Sequence, residues 1–155
     1  MKCICGIDPG LSGAIAFYNK ALDVMEVFDM PIHMIKDKKH IDLYALAHII
    51  DVRNPMILKA IIEEPHSMPK QGVASSFKFG HVCGVAQMAI AAYFIPMDLV
   101  RPNVWKKRMG LTSDKDACRQ RASQIWPQFA HHWPLKKHDG RAEAALLCLY
   151  GLGEY

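Results

Sequence analysis

Four carboxylates stand where a charged group needs a physical reason to be. Asp8 ends the apolar run Cys3-Ile4-Cys5-Gly6-Ile7, directly before the turn Pro9-Gly10. Glu63 closes a second, largely apolar run that starts at Ile57. Asp139 and Glu143 sit four apart in Asp139-Gly140-Arg141-Ala142-Glu143, which puts both on one face of a helix. A carboxylate at the end of a buried strand is costly unless it is paired, hydrogen-bonded or bound to a metal. Asp8, Asp139 and Glu143 have ordinary roles available, since Asp-Pro-Gly is good turn chemistry and acids suit a helix N-terminus. Together they make an oxygen-rich set for a hard divalent cation, which leaves positions open for water and phosphate oxygens. Two such ions about 4 Å apart activate a water and stabilise the leaving oxygen of a phosphodiester.

These residues need elements to carry them. Lys2 to Asp8, Ala14 to Asn19 and Leu22 to Met30 read as three strands of an antiparallel meander, punctuated by Pro9-Gly10 and Asn19-Lys20. Asp42 caps a helix over Leu43 to Arg53, which Asn54-Pro55 ends. Ile57 to Glu63 is apolar almost throughout, as a strand buried on both faces is. Adjacent strand residues point to opposite faces, so only one of Glu63 and Glu64 can join Asp8. A long helix follows from about Val73 to Phe94, then a short strand from Met97 to Arg101 and a small helix from Pro102 to Gly110. Ser113 or Asp114 caps a helix running to Trp126-Pro127, and the last helix starts near Asp139 and ends at Gly151. The order predicts a mixed α/β fold with a central sheet covered on both faces. Open α/β sheets place ligands at the C-terminal ends of their strands, where Asp8 and Glu63 fall.

The chain has 155 residues, half of them hydrophobic (51%), which suits one domain spanning 1–155 with one substantial core. No apolar run reaches eighteen residues and no secretory signal opens the sequence, so the expected setting is the cytoplasm. Five cysteines are scattered through apolar segments and read as buried free thiols. The net charge of +4 is modest, but between Arg101 and Arg141 ten basic side chains stand against Asp114, Asp116 and Asp139. Such an excess in one stretch suits a polyanionic partner, although solvated helices are also basic. Adjacent His131 and His132 are read as loop residues rather than metal ligands.

Cys5-Gly6-Ile7-Asp8-Pro9-Gly10 resembles the opening strand and turn of RuvC-type Holliday junction resolvases, and Ile61-Ile62-Glu63 their second acidic strand. Ser75 to Gly84 is similar to the helix after their junction-probing loop. Val104 to Gly110 and Asp139 to Ala144 resemble their later basic and acidic segments. The resemblance spans essentially the whole chain and is nearest to compact, phage-type members. It implies an RNase H-like fold, with three antiparallel strands followed by parallel ones. It also implies a homodimer, magnesium or manganese (two ions per site), and paired nicking of a four-way DNA junction in recombination or repair. Asp8, Glu63, Asp139 and Glu143 inherit the metal-ligand roles. Many members space the last two ligands three apart, so the spacing of four here leaves open whether His138 or Asp139 is the third ligand.

Lys106, Lys107, Arg108, Lys115, Arg119 and Arg121 are candidates for phosphate contacts, each adding roughly one unit to the salt slope of binding. The family's basic residues fall near Lys106, Lys107 and Lys115. In the loop Pro65 to Gly72, His66, Met68 and Lys70 are candidates to enter the junction, where the family uses an aromatic residue. Gly80 and Gly84 form a small-xxx-small pair on the long helix. Beside them the stripe Val82, Val85, Ala86, Ala89 and Ile90 suits ordinary core, while the resemblance implies a dimer contact on this helix. Three other functions are weighed. An acetate-kinase-like ATPase also opens on Gly-Ile-Asp but needs a duplicated domain to enclose nucleotide. A nuclease acting on forks, flaps or RNA–DNA hybrids would share the acidic chemistry. A non-catalytic branched-DNA binding module would have no need of the four acids.

Overall fold

The computed structural model describes residues 2–64, 72–112 and 114–154, without the side chain of Lys115. The first three strands, β1 (Cys3–Asp8), β2 (Ala14–Asn19) and β3 (Val24–Asp29), form the expected antiparallel meander. Next comes a hairpin, β4 (Ile32–Ile35) and β5 (Lys38–Ile41), whose strands pair with each other in a separate two-stranded sheet. Its turn residues Lys36 and Asp37 both have positive φ, 46° and 60°, as a two-residue hairpin turn of this twist requires. Asn-Gly normally signals such a turn, and nothing in Lys36-Asp37 announces it.

Helix α1 (Leu43–Asp51) starts where Asp42 accepts the Ala45 N–H at 3.0 Å. Strand β6 (Ile57–Glu63) lies parallel to β1, and β7 (Met97–Val100) lies parallel to β6, which completes a sheet of order β3-β2-β1-β6-β7. Between them runs α2 (Val73–Ala91). It stops short of the expected Phe94, which turns left-handed at φ 54°. Helices α3 (Pro102–Arg108), α4 (Lys115–Ile125, capped by Asp114) and α5 (Asp139–Gly151) follow, the last after short 3-10 turns.

The sheet separates two cores. On one face Ile4, Ala14, Ala16 and Ile61 meet α5, Cys118 and Ala122 of α4 and Trp105 of α3. On the other Cys5, Ile7, Ile15 and Ile62 meet Leu46 and Ile50 of α1 and Val82, Ala86 and Ile90 of α2. Helix α5 rests directly on β1, because a Cβ on Gly6 would lie 2.0 Å from the Ala144 carbonyl oxygen. That contact is what glycine in a strand interior permits. The α2 stripe suspected of a dimer contact is core of this second face: Val82, Ala86 and Ile90 are buried, with Val85 and Ala89 packed beside them. Gly80 and Gly84 point the other way into open space. Cysteines 5, 83, 118 and 148 are buried free thiols, and Cys3 is half-buried. Among the described residues no helix is long and apolar enough to cross a membrane.

Candidate active site

Parallel pairing of β1 and β6, with Ile7 opposite Ile62, brings Asp8 and Glu63 to the same end of the sheet. Alternation then decides the face. Ile4 and Ile61 belong to the core under α5, so Asp8 and Glu63, an even number of residues further along their strands, turn to that side as well. Helix α5 lowers Glu143 onto them. Carboxylate oxygens of Asp8, Glu63 and Glu143 lie within 4.8 Å of one another. Glu63 and Glu143 are buried, at 8% and 9% exposure. Glu64 faces away and receives the Arg101 Nε–H at 3.1 Å.

Helix α3 supports the acids from the side. Strand β7 delivers it to the same end of the sheet, and Pro102 opens its first turn. The wholly buried Trp105 donates Nε1–H to Glu63 Oε2 at 2.9 Å. Lys106 donates from Nζ to Glu143 Oε1 at 2.8 Å, and the Cys118 thiol lies 3.5 Å from the same oxygen. Burial, then the charges of Glu143 and Glu63, hold the Asp8 carboxyl well above the usual range, against the pull of Lys106. Burial and Glu143 push the Cys118 thiol up to about 12, and burial with Asp8 and Glu63 does the same to Cys83. Neither thiol is a nucleophile there. Burial draws the Lys106 ammonium down, but Glu143 outweighs it and the group is held above its ordinary value. Three clustered carboxylates facing one ammonium leave an excess of acidic oxygen donors, a set that fits a hard divalent cation.

Asp139 stands outside that tight set but lines the same cleft. The cleft is open, about 500 Å³, and bounded by Asp8, Pro9 to Gly13, Glu63 and Asp139 on one side and by Ser75, Lys78, Phe79 and Val82 of α2 on the other. His138 is not among its lining residues, and its Nδ1 accepts the Leu135 N–H at 3.3 Å. Directly after Asp139, Gly140 is closely fitted: a Cβ there would lie 2.8 Å from Asp8 Oδ2 and 2.9 Å from the Ser12 carbonyl oxygen.

Of the basic candidates, Lys107 and Arg108 are exposed on α3, with the Arg108 guanidinium 5.9 Å from the Tyr150 ring centre. Lys115 begins α4. Arg119 donates to Asp116 and to the carbonyls of Trp133 and Pro134. Arg121 is half-buried on the same helix. His66, Met68 and Lys70 lie outside the described residues. Trp105, Lys78, Cys118 and Gly140 had no assigned role in the sequence. A tryptophan beside Lys106, Lys107 and Arg108 was the one visible signal, and the others acquire meaning only through what they touch.

No protein-family model and no curated protein sequence matches this chain. Its backbone nevertheless superposes on solved structures along nearly its full length. A structure of Thermus thermophilus RuvC in complex with Holliday junction substrate matches with a TM-score of 0.63 at 15% identity. The match covers 99% of this chain and 97% of that one. A second Thermus thermophilus RuvC structure matches with a TM-score of 0.60 at 15% identity, over 97% and 96% of the two chains. The chain has the RNase H-like fold. Its mixed sheet of three antiparallel strands continued by two parallel ones, with helices on both faces, agrees with that assignment.

Proposed function

We propose that this chain is a divalent-metal-dependent endonuclease of the RuvC type that resolves four-way DNA junctions as a homodimer. The observation that carries the reading is the convergence of Asp8, Glu63 and Glu143 within 4.8 Å of one another, with Asp8 and Glu63 lining an open cleft. We take Asp139 over His138 as the fourth member, because Asp139 lines that cleft and the His138 Nδ1 accepts a backbone N–H. Magnesium or manganese, two ions held by these four carboxylates, supplies Lewis acidity and neutralises charge at a scissile phosphodiester.

The chain's own groups do the positioning. Trp105 fixes the orientation of Glu63 through its Nε1–H. Lys106 holds Glu143 and supplies a positive charge beside the acids. Lys78, on the far wall of the cleft, is placed to meet a phosphate opposite the carboxylates. Lys107, Arg108 and Lys115 contact flanking phosphates, and the loop carrying His66, Met68 and Lys70 enters the junction.

For the dimer, α2 offers an exposed stripe at helical spacing: Val73, Phe77, Gly80, Gly84 and Met88, with Phe77 at 78% exposure. A second copy laid on it would bury apolar surface that now faces water, and the two glycines permit close approach. A bacterial or phage-infected cytoplasm, and a role in recombination or repair, go with this reading.

Labelled four-way junction, fork, flap, linear duplex and RNA–DNA hybrid, incubated with magnesium or with EDTA, test it directly. Symmetric, magnesium-dependent nicks in the junction are expected, and Asp8→Asn should abolish them while junction binding persists. Cutting confined to the hybrid would replace the substrate assignment. Undiminished cutting by Asp8→Asn would remove the proposed site.

A further inference from the structure

The β4–β5 hairpin is rooted at the cleft and otherwise stands clear of the protein. Its foot is fixed at several points. Arg141 of α5 grips both carboxylate oxygens of Asp29 at 2.6 Å. The Met30 N–H donates to the carbonyl of Gly13 at 2.9 Å, and Gly13 lines the cleft. The Asp42 N–H closes the foot on the Pro31 carbonyl at 2.8 Å. Ile41 is buried against the core beside Leu46 and Ile50, yet every residue from Ile32 to Lys39 is exposed.

The charge on this projection is one-sided. Lys36, Lys38 and Lys39 stand against Asp37 alone. Among the described residues none of the three forms an ion pair, whereas Lys20, Lys59 and Lys106 each do. His33 and His40 face each other across the ladder with rings stacked at 5.9 Å. A connection from β3 to α1 needs only a few residues, and an isolated two-stranded hairpin is marginal in water, so linking the two elements does not account for this one. Lysines also blunt exposed strand edges against aggregation, and a test must separate that role from binding.

We propose that the β4–β5 hairpin is an accessory arm that grips the phosphate backbone of duplex DNA beside the cleft, with Lys36, Lys38 and Lys39 as its contacts. The shape suits the partner. A two-stranded ribbon is narrow enough to enter a major groove. Lys38 and Lys39 are neighbours on one strand and point to opposite faces of the ribbon, towards the phosphates on either side of such a groove, while Lys36 sits at the tip. Lysines on flexible stems position a backbone without reading sequence. Tyr44, 90% exposed in the first turn of α1 beside the foot, adds an aromatic surface of the kind nucleic-acid sites use. The inference rests on the nucleic-acid reading of the site above, but not on cleavage or on the junction as substrate.

The test compares the full chain with the triple variant Lys36→Gln, Lys38→Gln, Lys39→Gln, and with the corresponding triple arginine variant. Binding to a four-way junction and to linear duplex is titrated across potassium chloride concentrations with magnesium replaced by calcium, and mass is checked by sedimentation. Loss of three phosphate contacts should lower the salt slope by about two to three units, and weaken binding at low salt by about tenfold or more. The arginine variant should restore both, and the position of any nick should not move. An unchanged slope and affinity in the glutamine variant would overturn the arm and leave the nuclease reading intact. A fall in binding that follows a change in self-association would overturn it in favour of a contact between copies. Duplex binding that depends on the lysines, without junction cleavage, would keep the arm and discard the resolvase. No DNA binding by the wild-type chain would remove both.

Discussion

At the scale of the residue, the candidate site is a problem of charge that its neighbours partly solve. Three carboxylates crowd within 4.8 Å, and repulsion between them is relieved by Lys106 on Glu143 and by the indole N–H on Glu63. The indole contact is the more instructive because its donor is wholly buried: groups that orient metal ligands typically contribute 10- to 100-fold in metal affinity or activity. Trp105→Phe keeps most of the packing and deletes the donor. We expect it to raise the magnesium concentration needed to protect the protein against heat by roughly tenfold, measured as melting temperature against added magnesium. An unchanged magnesium curve would show that Glu63 needs no such support. In the wild type, magnesium itself should raise the melting temperature, by the equivalent of about 2.7 kcal/mol at a hundred times the dissociation constant. The gain should be lost in EDTA.

At the scale of the element, α5 matters most, because it must lie close enough to β1 for Glu143 to reach the strand-end acids. Gly6 permits that approach in the middle of the strand, and Gly140 permits it at the helix start, where any side chain would meet Asp8 and the Ser12 carbonyl. Gly140→Ala therefore pushes the helix start off the β1–β2 turn. An overpacked site of this kind typically costs about 1–3 kcal/mol, which for a chain of this length lowers the melting temperature by several degrees. Activity should fall far more than the residual stability explains, since the acids lose their spacing. A variant that is destabilised yet cuts at the wild-type rate would show that the helix start does not position the acids. The same element explains why Arg141, read as part of a basic stretch, is committed to Asp29: it ties the helix start to the end of β3.

For the whole molecule, the distribution of exposed surface is the informative feature. Polar and basic groups gather around the cleft end of the sheet, on α3, on the wall of α2 and on the β4–β5 arm. Exposed apolar side chains are spread more widely, Ile32, Met34 and Ile35 of the arm among them, and Val73, Phe77 and Met88 form one row along the outer face of α2. Phe77→Glu places a charge in the middle of that stripe without touching either core. We expect the wild type to sediment as a dimer and the variant as a monomer at micromolar concentration, with its fold and melting behaviour retained. A wild-type chain that is monomeric at all concentrations would remove the dimer from the proposed function, and with it the coupling of two nicks across a junction. Lys106 and Lys107 replaced together by Ala should weaken DNA binding and reduce its salt slope by about one to two units. An unchanged slope would place α3 away from the backbone.

Much of this was legible in the chain before folding was considered. The strand at Ile57 to Glu63, the meander, the caps at Asp42 and Asp114 and the last helix all came from period, punctuation and capping, which are local properties. Asp8 and Glu63 were recognisable because a charge at the end of a buried strand has few cheap explanations. The rest was not local. Which residues of α2 are core and which face water depends on where the helix rolls against the sheet: the stripe from Val82 to Ile90 is core, while Gly80 and Gly84 face water. Lys36-Asp37 carries no turn signal, so the hairpin emerged only from the pairing of its strands. Asp139 and Glu143 looked equivalent on one helical face, yet only Glu143 reaches the cluster of three, while Asp139 remains at the cleft wall. Trp105, Gly140 and Cys118 became site residues through contacts across tens of residues of sequence. Residue type and period determine which elements form and what charge they carry; the distances between elements, set by how closely they pack, determine which of those charges meet.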